Sequence, residues 1–159
     1  MKEMNERIKV NELIQVCKDA SRGFRLAAAE VDNKSYREFF RVKAVERGDF
    51  VRNLQNAALK LGLVPKADGS VLGSVHRAWM NLRHSINPHQ DQVPLLECRR
   101  GEEHALKVYE EILENHLLQQ MQPALEEQFV AMIETRDMLR NGIAGTKEKD
   151  ISGSVLHLL

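Results

Sequence analysis

The chain lacks most of the features that advertise a function. It has only two cysteines, Cys17 and Cys98. Both fall on apolar helical faces, which suits buried thiols in a reducing compartment better than a disulfide scaffold, and a bridge between them would need matching geometry. It has no excess of either charge, with 23 Lys+Arg against 23 Asp+Glu. Without an overall basic field, nucleic acid and anionic membrane surfaces are excluded as expected partners. No apolar run approaches the roughly 18 residues of a membrane span, and Met1 to Val10 alternates charged and apolar residues without a signal-peptide core, so a cytoplasmic location is expected. Glycine-rich phosphate loops and HExxH are absent, and neither cysteine has a histidine at catalytic spacing. His76, His84, His89, His104, His116 and His157 are scattered without the i, i+4 pairing of a zinc helix, and they read as surface or helix-edge residues. No catalytic residue and no organic cofactor is expected.

What is present is helical periodicity. At 159 residues, 43% hydrophobic and 29% charged, the chain has the length and balance of one globular domain. A first helix is predicted over Ile8 to Val31, with Val10, Leu13, Val16, Cys17, Ala20, Phe24, Ala27, Ala28 and Val31 on its apolar face. Asp32-Asn33-Lys34 makes a turn, and Ser35 with Glu38 forms a capping-box pattern. The second helix carries Tyr36, Phe39, Phe40, Val42, Phe50, Leu54, Ala57 and Leu61 and stops at Gly62, with Pro65 beyond. A shorter segment, Ser70 to Ile86, has a stripe centred on Trp79, read as the anchor that docks it. A further helix runs from Val93-Pro94 to about His116. A break at Gln119 to Pro123 precedes the last, which carries Leu125, Phe129, Met132, Ile133 and Leu139 and ends near Asn141-Gly142. The expected fold is all-α, a ferritin-like antiparallel four-helix bundle with an additional short crossover helix. It would occupy residues 1–145, with 146–159 as a tail whose apolar end docks on the bundle or on a second copy, or frays.

One residue breaks the pattern. On a wheel advancing about 100° per residue, Leu95, Cys98, Ala105, Leu106, Tyr109 and Leu113 make one apolar stripe, and Glu102 sits at its centre. A carboxylate there is costly unless it is paired, protonated or bound to metal. Di-iron bundles place one Glu on each of two helices and Glu-x-x-His on each of the other two. The nearest match here is Glu30 from a flank of the first helix, Glu46 with Asp49 on the second, and Glu102. This carboxylate-only set suits iron or another hard divalent cation but lacks the usual imidazoles. Glu134-x-x-Asp137 points away from the apolar face, whereas Arg136 falls among the apolar positions. The competing expectation is therefore a buried ion pair in which Arg136 meets Glu102 or Glu46 without metal.

The strings Cys17-Lys18-Asp19-Ala20-Ser21-Arg22-Gly23-Phe24, Ala27-Ala28-Ala29-Glu30, Gly69-Ser70-Val71 to His76-Arg77-Ala78-Trp79, and Glu97-Cys98-Arg99-Arg100-Gly101-Glu102-Glu103-His104-Ala105-Leu106 to Tyr109 carry a resemblance. Over about residues 10 to 141 the chain resembles a bacterial ferritin-like family of small four-helix bundles. That family is a domain of unknown function, related in fold to stress-associated ferritin-like bundles. The resemblance implies the fold and no reaction. It also leads one to expect histidine where this chain has Arg136, and an acidic residue at Arg22 or Arg100, which weakens the case for a metal centre. Two functions follow as expectations. One is a non-catalytic bundle, a homodimer that binds a protein partner or serves in a stress response. The other is a metal-binding, iron-oxidising protein built on Glu30, Glu46 and Glu102.

Overall fold

The computed structural model describes residues 1–65 and 91–156, with side chains described as far as Ile143. Among these residues the chain is all-helical: α1 (Lys2–Glu30), α2 (Lys34–Lys60), α3 (Gln92–Glu114), a single 3-10 turn (Gln119–Met121) and α4 (Gln122–Leu156). The expected short helix over Ser70 to Ile86, with Trp79, lies outside the described residues.

Each helix buries residues at alternating steps of three and four. In α1 the seam is Val10, Ile14, Cys17, Ser21, Phe24, Ala28 and Val31. In α2 it is Phe40, Ala44, Arg47, Val51, Leu54 and Ala58. In α3 it is Leu95, Cys98, Glu102, Ala105, Tyr109 and Ile112, and in α4 Leu125, Gln128, Met132, Thr135 and Leu139. This is the spacing that lets helices pack side by side at shallow angles. Hydrogen bonds between helices give the directions. Ser21 reaches Ala44, and Cys17 and Gly23 on α1 meet Tyr109 and Cys98 on α3, so α1 runs antiparallel to both α2 and α3. Tyr109 with Gln128 and Glu103 with Arg140 set α4 antiparallel to α3. α2 and α3 therefore run parallel and sit diagonally, and the chain leaves α2 at one pole and enters α3 at the other.

The ends are set by local chemistry. Asn33 caps α2 by accepting from the backbone of Ser35 and Tyr36 at 2.8 and 3.1 Å, so the cap lies two residues before the Ser35 that the capping-box pattern suggested. The Asp91 carboxylate takes the backbone N–H groups of Asp32 and Asn33 at 2.8 and 3.1 Å, pinning the α1–α2 turn to the start of α3. α2 and α3 end in the same way. Gly62 (φ 74°) and His116 (φ 50°) are both left-handed, and Leu63 and Leu117 bond back to Ala58 and Ile112 at 2.8 and 3.1 Å. That is the Schellman pattern, closed once by glycine and once by a histidine that bears the strain of its Cβ. α4 continues to Leu156, past the end near Gly142 that the sequence suggested. No proline interrupts this stretch, and a glycine within a helix costs only about 1 kcal/mol.

Among the described residues the core falls into two apolar clusters. One gathers Val10 to Cys17, Val51 to Leu63, Ala105 to Ile112 and Leu118 to Met132. The other gathers Phe24 to Val31, Phe40 and Ala44, Leu95 and Cys98, and Leu139 and Ile143. Between them lies one layer, with a polar residue from each helix: Ser21, Arg47, Glu102 and Thr135, all buried.

Candidate functional site: the charged layer of the core

Glu102 is fully buried, and the cation that meets it is Arg47. The Arg47 guanidinium donates Nε–H to Oε1 at 3.1 Å and Nη2–H to Oε2 at 2.7 Å, a two-pronged match of fork to carboxylate. Nη2 also donates to Thr135 Oγ1 at 3.2 Å, and the Thr135 hydroxyl donates back to Ala131 O at 2.9 Å. Nη1 donates to Glu46, whose carboxylate also receives Lys43 at 3.1 Å. The guanidinium lies 4.9 Å from the Phe50 ring centroid and 5.8 Å from that of Phe24, so cation–π attraction adds to the pairing. Charges balance across Glu102, Arg47, Glu46 and Lys43.

Burial acts on both partners. It pushes the Glu102 carboxyl above the ordinary carboxylate range, and Arg47 only partly offsets this. For Arg47, burial pulls the other way, but the charge of Glu102 and its hydrogen bonds outweigh it, and the guanidinium is held above its usual value. A guanidinium gives up no proton in protein chemistry. The layer can therefore clamp four helices together.

A second polar chain lies in the larger apolar cluster. Tyr109 OH donates to Gln128 Oε1 at 2.8 Å, which leaves the Cys17 thiol as donor to the Tyr109 oxygen at 3.2 Å. Burial pushes the Cys17 thiol up to about 12. It also lifts Tyr109 well above its usual value, with Cys17 adding to the effect. Cys98, which reaches Gly23 O at 3.8 Å, is likewise raised by burial and by Glu102 and Glu97. Both cysteines are free and buried, and thiols held protonated in this way are poor nucleophiles.

The residues singled out in the sequence are not brought together. Arg136 does not enter the core: its Nε donates to Asp137 at 3.0 Å and its side chain is 25% exposed, so the expected Arg136–Glu102 pair is replaced by Arg47–Glu102. Glu30 is exposed at the end of α1. Asp49 is half exposed and paired with Arg52. Only Glu46 and Glu102 approach one another, through Arg47. Among the described residues no three of His, Cys, Asp and Glu stand close enough to hold a metal ion. The carboxylate set does not fit a metal, because a guanidinium occupies the space between its two inward members. Among the described residues no helix is long and apolar enough to cross a membrane.

Arg47 itself was missed. Its signal was the seam Phe40, Ala44, Arg47, Val51, Leu54, Ala58, but a wheel that counts Val42 as inward turns that seam outward, and Val42 is 52% exposed.

The family model that matches this chain is described as Domain of unknown function (DUF2383), and it covers residues 7–115, from the second turn of α1 through the end of α3. No curated protein and no solved structure matches the chain.

Proposed function

The chain belongs to the DUF2383 family, and on that premise we propose that it is a non-catalytic, metal-independent helical bundle of ferritin-like topology that works through protein contacts. Support for the topology is the parallel pair α2 and α3, which obliges the chain to travel between poles once, as in bundles with a single long crossover. The crossover helix over Ser70 to Ile86 belongs to this proposal. The single observation that carries the functional reading is the fork of Arg47 on Glu102. A cation of the protein itself satisfies the one fully buried carboxylate among the described residues, where a di-iron bundle would place metal. The homodimer, the cytoplasmic location and the stress-related role rest on the family resemblance and on two free, buried cysteines, which suit a reducing compartment.

The test is metal content by mass spectrometry on chelator-free protein, followed by anaerobic Fe(II) titration with admission of oxygen. The expected result is substoichiometric metal, no oxidation above background, and unchanged helicity on chelation. One or two metal ions per chain, lost in Glu102→Gln, would overturn the reading and restore the iron-handling alternative.

A further inference from the structure

A cavity of about 290 Å³ lies between α1 and α3, lined on one side by Asp19, Ala20, Gly23 and Phe24 and on the other by Glu97, Cys98, Arg100, Gly101, Glu102 and His104. Its two walls carry the glycines Gly23 and Gly101. Both sit in the interior of long helices, away from the caps. Neither has the left-handed backbone that would demand glycine, since the positive φ values belong to Gly62 and His116. Neither permits a close helix approach, because a Cβ at either position would meet nothing within 4 Å. Glycine in a helix interior is unfavourable relative to alanine. Gly23 is half-buried and Gly101 is exposed at the rim, and two such residues with room to spare on facing helices are explained if the cavity and its mouth are what must stay open.

The lining gives the chemistry of an occupant. Its buried wall is apolar, formed by Phe24, Val16 and the uncharged Cys98 thiol. The charged residues around it are three carboxylates, Asp19, Glu97 and Glu102, against one arginine, Arg100. Arg100 is spent on Glu97 at 3.0 Å, and Glu102 on Arg47, while Asp19 receives the neutral amide of Gln15 at 2.9 Å. The mouth therefore favours a positive group, and the wall favours a hydrocarbon.

We infer that the α1/α3 cavity is a binding site for a small amphipathic amine, its apolar body lying between Gly23 and Gly101 against Phe24 and Cys98, and its ammonium group at Asp19. The site is independent of the proposed function, since it needs neither metal nor a protein partner.

The probe is 2-phenylethylamine, titrated into the ¹⁵N-labelled full chain, with 2-phenylethanol and phenylacetate as neutral and anionic controls. Saturable shifts of the Gly23 and Gly101 amides are expected with the amine, at least tenfold weaker with the alcohol and absent with the acid. Gly23→Ala, which the open space accommodates, should raise Tm. Gly101→Leu should keep the fold and lose at least tenfold in affinity by filling the cavity, and Asp19→Asn should erase the preference for amine over alcohol. No saturable shift at the two glycines, equal binding of amine and alcohol, wild-type affinity in folded Gly101→Leu, or a fall in Tm for Gly23→Ala would each overturn the assignment.

Discussion

Two polar assemblies cross this core, and they differ in what they can tolerate. The charged layer of Ser21, Arg47, Glu102 and Thr135 separates the apolar clusters and draws a residue from every helix. The neutral chain of Cys17, Tyr109 and Gln128 lies inside one cluster and links α1, α3 and α4. In the first, Arg47 and Glu102 neutralise one another, so losing either leaves a bare charge in a dry interior. In the second, losing one leaves an unmatched dipole. The lesson is that buried polar groups carry different penalties according to their charge, because an orphaned ion is desolvated at several times the cost of an orphaned hydroxyl or amide.

That difference can be broken first at its strong end. Glu102→Ala should destabilise by about 3–5 kcal/mol in urea unfolding, whereas pairing Arg47→Met with Glu102→Leu should recover most of the loss; Arg136→Met alone should stay within about 0.5 kcal/mol, as surface changes do. A double-mutant cycle that found coupling of Glu102 to Arg136 and none to Arg47 would refute the layer as described.

At the neutral end, Tyr109→Phe should cost about 1–3 kcal/mol, measured as the shift in urea midpoint. An effect equal to that of Glu102→Ala would erase the distinction.

Alkali sharpens the contrast. The folded state holds the Cys17 proton up to about 12, above the 9.0 of the free thiol, so the unfolded chain releases it first. Stability is then whole below pH 9.0 and falls as pH rises toward 12, by about 1.4 kcal/mol per pH unit for one such group. Tyr109, also raised, adds to the slope at the top of the range. Unfolding midpoints at pH 8, 9.5 and 10.5 should show this decline, and Cys17→Ala should make it shallower, leaving the contributions of Cys98 and Tyr109.

The smallest effect serves as a control at the end of α3, away from both assemblies. His116→Gly should stabilise by about 0.5–1 kcal/mol, by removing a left-handed Cβ from a cap of the kind that Gly62 already closes without strain; unchanged or lower Tm would show that the histidine side chain has a compensating contact.

The sequence displays some of this architecture plainly and conceals the rest. Helix ends marked by Gly62 and by the break before Pro123 were legible because each depends on a local backbone preference, whereas the Asn33 cap was read two residues late, at Ser35. Glu102 was legible because a carboxylate stands out among leucines and alanines. Its partner was not, because an apolar wheel assigns inward positions by hydrophobic residues, and the seams here carry Arg47, Gln128 and Thr135 in their place. On α4 the same error moved the centre of the face toward Phe129 and brought Arg136 inward by about one position. Long polar side chains in a core are read correctly only when the three-four spacing is followed through them.

The Asp91 clasp bears on the order of assembly. The α1–α2 hairpin joins residues close along the chain and can form early at little loop-closure cost, but the clasp joins Asp32 to a residue 59 positions away. Contacts of that separation slow folding. A contact that closes so long a loop is expected to weigh on the rate of folding, so Asp91→Ala should slow refolding more than it lowers the resting stability.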